Sequence, residues 1–158
     1  MKAICTYSNG NVGIAQELRS YLAGKGEDFI YLEHPLLPRP GSKSIFQLYR
    51  GGRLTEGREW AHARRSSLLH YARCSRITFR VVRQYRRDLD LFVGHSNIDC
   101  VLARFAGRKA MRVVYASIDY MPRRFSNPLL NGIYQLADRM AYSGADAIWH
   151  SYPDFKTL

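Results

Sequence analysis

The stretch from Arg112 to Ser151 constrains the fold more than any other part of the chain. An apolar run of strand length, Arg112-Val113-Val114-Tyr115-Ala116, leads into a loop from Ser117 to Phe125. A helical segment from Pro128 to Tyr142 follows, then Gly144-Ala145-Asp146, then a second strand, Ala147-Ile148-Trp149-His150. Strand, crossover helix and strand in that order make a βαβ unit, and such units require parallel pairing. The rest of the chain keeps this rhythm. Strands are expected at Lys2 to Tyr7, Asp28 to Glu33 and Asp90 to Gly94, and helices at Ile14 to Ala23, Ser66 to Arg87 and Ser96 to Phe105. Apolar residues at 14, 15, 18, 21 and 22 give the first helix its period, and Gly24 and Gly26 end it. Between 35 and 65 the pattern lapses into a long irregular excursion with one strand, Ser44 to Tyr49. The expected fold is α/β, a Rossmann-like, doubly wound, mainly parallel sheet with helices on both faces.

A length of 158 residues is one domain with room for a real core. No apolar run approaches the ~18 residues of a membrane span, and Met1 to Tyr7 is too short for a signal-peptide core. Cys5, Cys74 and Cys100 fit no metal spacing and read as reduced, buried thiols of a cytoplasmic protein.

Ligands of such folds bind at the carboxyl ends of the strands. The polar groups expected there are Ser8 to Asn11, His34, His95-Ser96-Asn97, Ser117 to Tyr120 and Ser151. Ser96 and Asn127 read as helix caps. Asp119 stands alone after an apolar strand, with Pro122 between it and the helix, which leaves it free for chemistry.

Net charge is +11, carried by 19 arginines against 5 lysines. From Arg50 to Arg87 there are eleven arginines and two acids, Glu56 and Glu59. Arg73, Arg76, Arg80, Arg83 and Arg87 recur at steps of three and four, so they share about a quarter of a helix circumference. Leu68, Tyr71, Ala72, Cys74, Phe79, Val82 and Tyr85 take the other side, expected to pack on the domain. Like charges at these spacings repel by a few tenths of a kcal/mol per pair. An anionic membrane surface or a phosphorylated acceptor would compensate; otherwise the face is simply solvated. Nucleic acid is disfavoured, because no binding motif is present and aromatics do not alternate with the basic residues.

Ser8-Asn9-Gly10-Asn11-Val12-Gly13 is similar to the dinucleotide fingerprint with its first glycine replaced, and Glu33 stands 20 residues beyond Gly13 where a ribose-binding acid belongs. An NAD-type nucleotide-binding domain is therefore one reading, and a plain strand-to-helix turn another. A third is a non-catalytic membrane adaptor that recruits a donor-binding chain.

The last third carries a more specific resemblance. Asp90-Leu91-Phe92-Val93-Gly94-His95-Ser96, the loop holding Asp119, and the run from Phe125 through Asp138-Arg139 to Ala145-Asp146-Ala147-Ile148-Trp149 resemble the N-terminal, acceptor-side domain of GT-B glycosyltransferases, the retaining family 4-like proteins among them. That resemblance implies a second, donor-binding domain beyond this chain, which makes the chain half of an enzyme and inactive alone. It implies a sugar moved from a nucleotide sugar to a cell-envelope or lipid-linked acceptor at the cytoplasmic face of a membrane, with no metal and no bound cofactor. Asp119 or His95 would orient or deprotonate the acceptor. Asn9, Gly10, Asn11 and Tyr120 would line the cleft, and Arg123 and Arg124 would meet a phosphate. Many retaining members carry histidine near Asp119, so the stereochemistry stays open.

Overall fold

The computed structural model describes residues 1–8, 13–37, 39–62, 67–117 and 127–150. They form an α/β domain in the order β1 (Lys2–Ser8), α1 (Ile14–Gly24), β2 (Phe29–Pro35), β3 (Lys43–Arg50), β4 (Arg53–Ala61), α2 (Ser67–Gln84), β5 (Leu91–Gly94), α3 (Asn97–Ala106), β6 (Arg112–Ser117), α4 (Pro128–Gly144) and β7 (Ala147–His150). The seven strands make one sheet in the order β4-β3-β2-β1-β5-β6-β7. Strands β2, β1, β5, β6 and β7 run parallel, while β3 and β4 pair antiparallel at one side.

The direction of winding reverses at β1. The chain steps one way from β1 to β2, then returns past β1 to β5, β6 and β7. If all crossovers share one hand, α1 must lie on one face and α2 to α4 on the other. The buried clusters divide in this way. Ala15 and Leu22 of α1 pack with Ile4, Phe29 and Tyr31. Ile77, Val81 and Val82 of α2, Cys100, Ala103 and Ala106 of α3, and Ala141 of α4 pack with Ala3, Cys5, Ile30, Phe92 and Val113. Neighbouring residues of β1 and β2 thus face opposite layers, which is why Ala3-Ile4-Cys5 and Phe29-Ile30-Tyr31-Leu32 are continuous apolar runs.

Local chemistry fixes the ends of the helices. Asn127 caps α4, its Oδ1 accepting from the N–H groups of Leu129 at 2.9 Å and Leu130 at 3.2 Å, with Pro128 at the first helical position. Ser96 holds the N-cap position of α3 without a side-chain bond, and Asn97 Oδ1 accepts from the N–H of Ile98 at 2.7 Å. Helix α3 lies close to the sheet because Gly94 has no side chain: a Cβ there would sit 2.7 Å from Cys100 Sγ. On α4, Leu129, Ile133, Leu136 and Met140 form an exposed apolar stripe.

Two expectations are corrected. The excursion from 35 to 65 contains a β-hairpin, not one isolated strand. Ser44, Phe46 and Leu48 alternate inward along β3, and Gly51 and Gly52, at φ 55° and 74°, make the two-residue turn that returns as β4. Positive φ at both turn residues matches the right-handed twist of a hairpin. Helix α2 ends at Gln84, so Arg87 stands beyond it, and Leu68 and Ala72 are exposed where the helical wheel put them inside. Cys74 and Val82 are buried as expected and Phe79 and Tyr85 pack against the core, but the buried face also takes in His70, Ile77, Thr78 and Val81.

Candidate functional site

The parallel strands β1, β5 and β6 are neighbours, so their carboxyl ends, at Ser8, Gly94 and Ser117, lie at one edge of the sheet. Of the residues expected to work there, His95 is described. Asn9, Gly10, Asn11, Asp119, Tyr120, Arg123 and Arg124 lie outside the described residues.

His95 follows β5 beside the point where the winding reverses. Its Nδ1 lies 3.2 Å from the carbonyl oxygen of Cys5. A carbonyl can only accept, so Nδ1 carries the proton, and in the neutral ring Nε2 keeps its lone pair. That Nε2 is buried and has no hydrogen-bond partner among the described residues. Burial lowers the pKa, outweighing the bond to Cys5 that raises it. The ring is therefore a neutral base at the carboxyl edge.

His34, expected at an open strand end, lies inside β2 and is fully buried. It belongs to a polar network between the sheet and α2. His34 Nδ1 is 2.7 Å from Ser44 Oγ, which is also 2.7 Å from His62 Nε2. His34 Nε2 is 2.9 Å from Thr78 Oγ1, and the Thr78 hydroxyl donates to Asp99 Oδ1 at 2.9 Å. Thr78 spends its proton on Asp99, so it accepts from His34 Nε2–H. His34 Nδ1 then accepts from Ser44, and Ser44 accepts from His62. A proton on Asp99 Oδ1 would let every one of these bonds reverse without moving a heavy atom, because each hydroxyl and each ring can donate on either side. Burial sets the charges. It raises Asp99 to about 7, partly opposed by hydrogen bonds from Thr78 and Cys5. It lowers His34 to about 3, with help from His62 and His70.

Two groups of metal-ligating side chains arise here, each with its ligand atoms within 4.8 Å of one another: Cys5, His34 and Asp99; and His62, His70 and Cys74. In the first, the Thr78 hydroxyl already contacts all three, with Cys5 Sγ at 3.6 Å. The second offers two imidazoles and a thiol, ligands suited to zinc. There His70 Nε2 donates to the carbonyl of Pro35 at 2.7 Å, and the buried Nδ1 has no partner among the described residues. The spacing of the cysteines signalled neither group, since each draws on several elements of the fold.

The arginine stripe divides. Arg73, Arg76 and Arg80 line a cleft of about 630 Å³ between α2 and the β3–β4 hairpin, with Arg58 on its far wall and Phe46 and Trp60 among its apolar lining. Arg83 and Arg87 are exposed outside it. Helix α2 contains no acidic residue. Glu56 and Glu59 of the hairpin are engaged by Arg58 at 2.5 Å and Lys43 at 2.6 Å. Among the described residues, Arg73, Arg76 and Arg80 have no acidic partner. The sequence showed the basic face of the helix but not the second wall, because β4 was not expected.

Glu33 lies within β2, in register with Thr6 and Ile45, and its carboxylate accepts from the Tyr31 hydroxyl at 2.8 Å. No described helix is long and apolar enough to cross a membrane. No family model matches the chain, and neither the curated proteins nor the solved structures show a match to it.

Proposed function

We propose that the chain is the acceptor-side domain of a GT-B glycosyltransferase of doubly wound, Rossmann-like architecture. An acceptor hydroxyl binds at the carboxyl edge of the sheet, beside the reversal between β1 and β5, where open α/β sheets hold their ligands. The observation that supports this reading is His95, a neutral imidazole at that edge whose Nε2 has no partner among the described residues. The acceptor oxygen forms a bond to the anomeric carbon of a nucleotide sugar as the bond to the diphosphate oxygen breaks, and the acceptor's proton passes to His95 or Asp119. Asn9, Gly10, Asn11 and Tyr120 shape the cleft, and Arg123 and Arg124 meet the phosphates. A donor-binding domain or chain grips the nucleotide, and a lipid-linked or cell-envelope acceptor places the protein at the cytoplasmic face of a membrane.

The test is turnover of the two-domain enzyme with nucleotide sugars. His95→Gln and Asp119→Asn are made separately, and the residue that serves as base should lose at least ~100-fold in kcat with folding unchanged. Residues 1–158 alone should transfer nothing. Full activity in both variants, or turnover by the isolated chain, would overturn the assignment. A melting-temperature rise with NAD(P) that is lost in Glu33→Ala would replace it with a dinucleotide-binding domain.

A further inference from the structure

We infer that the cleft between α2 and the β3–β4 hairpin is a binding site for a phosphate or diphosphate monoester with a flat or chain-like apolar body. The inference does not rest on the glycosyl-transfer reading, because the cleft is built from other residues.

Three observations point to this chemistry. First, Arg73, Arg76 and Arg80 stand at steps of three and four on one wall, and Arg58 faces them from the other. Adjacent pairs on the helix lie ~5–6 Å apart at Cβ, so two neighbouring guanidinium groups can grip one phosphate. Second, none of the three helical arginines has an acidic partner among the described residues; on the hairpin Glu59 pairs with Lys43, and Glu56 pairs with Arg58, so the uncompensated charge of the cleft is that of the three helical arginines. Such a set repels itself until an anion arrives, and arginine is the side chain suited to phosphate. Third, the lining is not polar throughout. Trp60, half-buried, and Ala72, exposed, form its accessible apolar part, with Trp60 held edge-on against the buried ring of Phe46 at 6.4 Å. A bare phosphate would gain nothing from that surface, whereas a phosphate ester with a base, a ring or a prenyl chain would. The volume of about 630 Å³ falls within the range of small-molecule sites.

The experiment uses the fluorescence of Trp60 in a Trp149→Phe background. The probes are geranyl diphosphate, UMP, inorganic pyrophosphate, and phosphatidylcholine vesicles with and without phosphatidic acid. Saturable binding of at least one organic phosphate, tighter than that of pyrophosphate, is expected. Arg76→Gln with Arg80→Gln should weaken it at least tenfold, while Arg83→Gln with Arg87→Gln should change it less than twofold. All four arginines are exposed, so melting temperatures should not move, and this is checked in each variant. Preference for geranyl diphosphate or UMP in solution identifies a free ligand, and groove-dependent binding to phosphatidic acid vesicles alone identifies a lipid headgroup. Both outcomes uphold the site. Vesicle binding lost equally in the two double variants would mean a general electrostatic surface and overturn the proposal. So would pyrophosphate binding as tightly as its organic esters, or no binding to any probe.

Discussion

Replacing Asp99 by Asn should change how stability depends on pH, in a direction the structure fixes. Asp99 is fully buried on α3, with Oδ1 bonded to Thr78 and Oδ2 without a partner among the described residues. Burial raises its pKa from 3.8 to about 7. Between those values the folded protein holds a proton that the unfolded chain has released. Stability therefore falls as pH rises, by ~1.4 kcal/mol per pH unit and ~4 kcal/mol in all. His34 acts in the opposite sense. Burial lowers it from 6.5 to about 3, so there the unfolded chain holds the extra proton and stability rises with pH. From pH 4 to 6.5 the two slopes offset each other in the native protein, because unfolding in effect moves one proton from Asp99 to His34.

Asp99→Asn removes one slope and leaves the other. The variant should gain ~1.4 kcal/mol per pH unit between pH 4 and 6.5, before smaller contributions of the same sign from His62 and His95, both lowered first by burial. Urea denaturation of both proteins from pH 4 to 8 measures this. The native-minus-variant difference should fall by ~4 kcal/mol across that range. A change in the variant's baseline stability is immaterial, because the slope carries the test. Parallel curves, or a carboxyl NMR titration of Asp99 with its midpoint below 5, would refute the argument.

Two further outcomes are expected. Gly52→Ala should cost about 2 kcal/mol or more, seen as a lower urea midpoint, because φ is 74° and the new Cβ would collide with the Ala23 carbonyl oxygen. Cys5, Cys74 and Cys100 are all buried free thiols, with Cys74 pushed up to about 12 by burial and by Asp99, so a disulfide reagent should label none of them faster than the protein unfolds.

The parallel strands and four helices were legible because burial on both faces leaves apolar runs, and crossover helices keep a 3.6-residue period. The hairpin was not, and the reason lies in β4. Arg53-Leu54-Thr55-Glu56-Gly57-Arg58-Glu59-Trp60-Ala61 is mostly exposed and charged, so it shows no apolar alternation. Its signal is the Gly51-Gly52 pair, a two-residue hairpin turn inside the segment expected to be an irregular excursion. That one omission hid two things. Without β4, the arginine stripe has no opposite wall, so a helix face could be read but not a cleft. Without β3 and β4 placed beside β2, Ser44 and His62 are distant from His34 in sequence and nothing brings them together. Buried polar residues leave no periodic mark of their own. Thr78 and His70 interrupt the apolar face of α2 and looked like surface, yet each has a partner supplied by another element. The cost of burying an unpaired imidazole or carboxyl is several kcal/mol. Asp99, His34, Ser44 and Thr78 can therefore be buried only as a set, each supplying a partner that another needs.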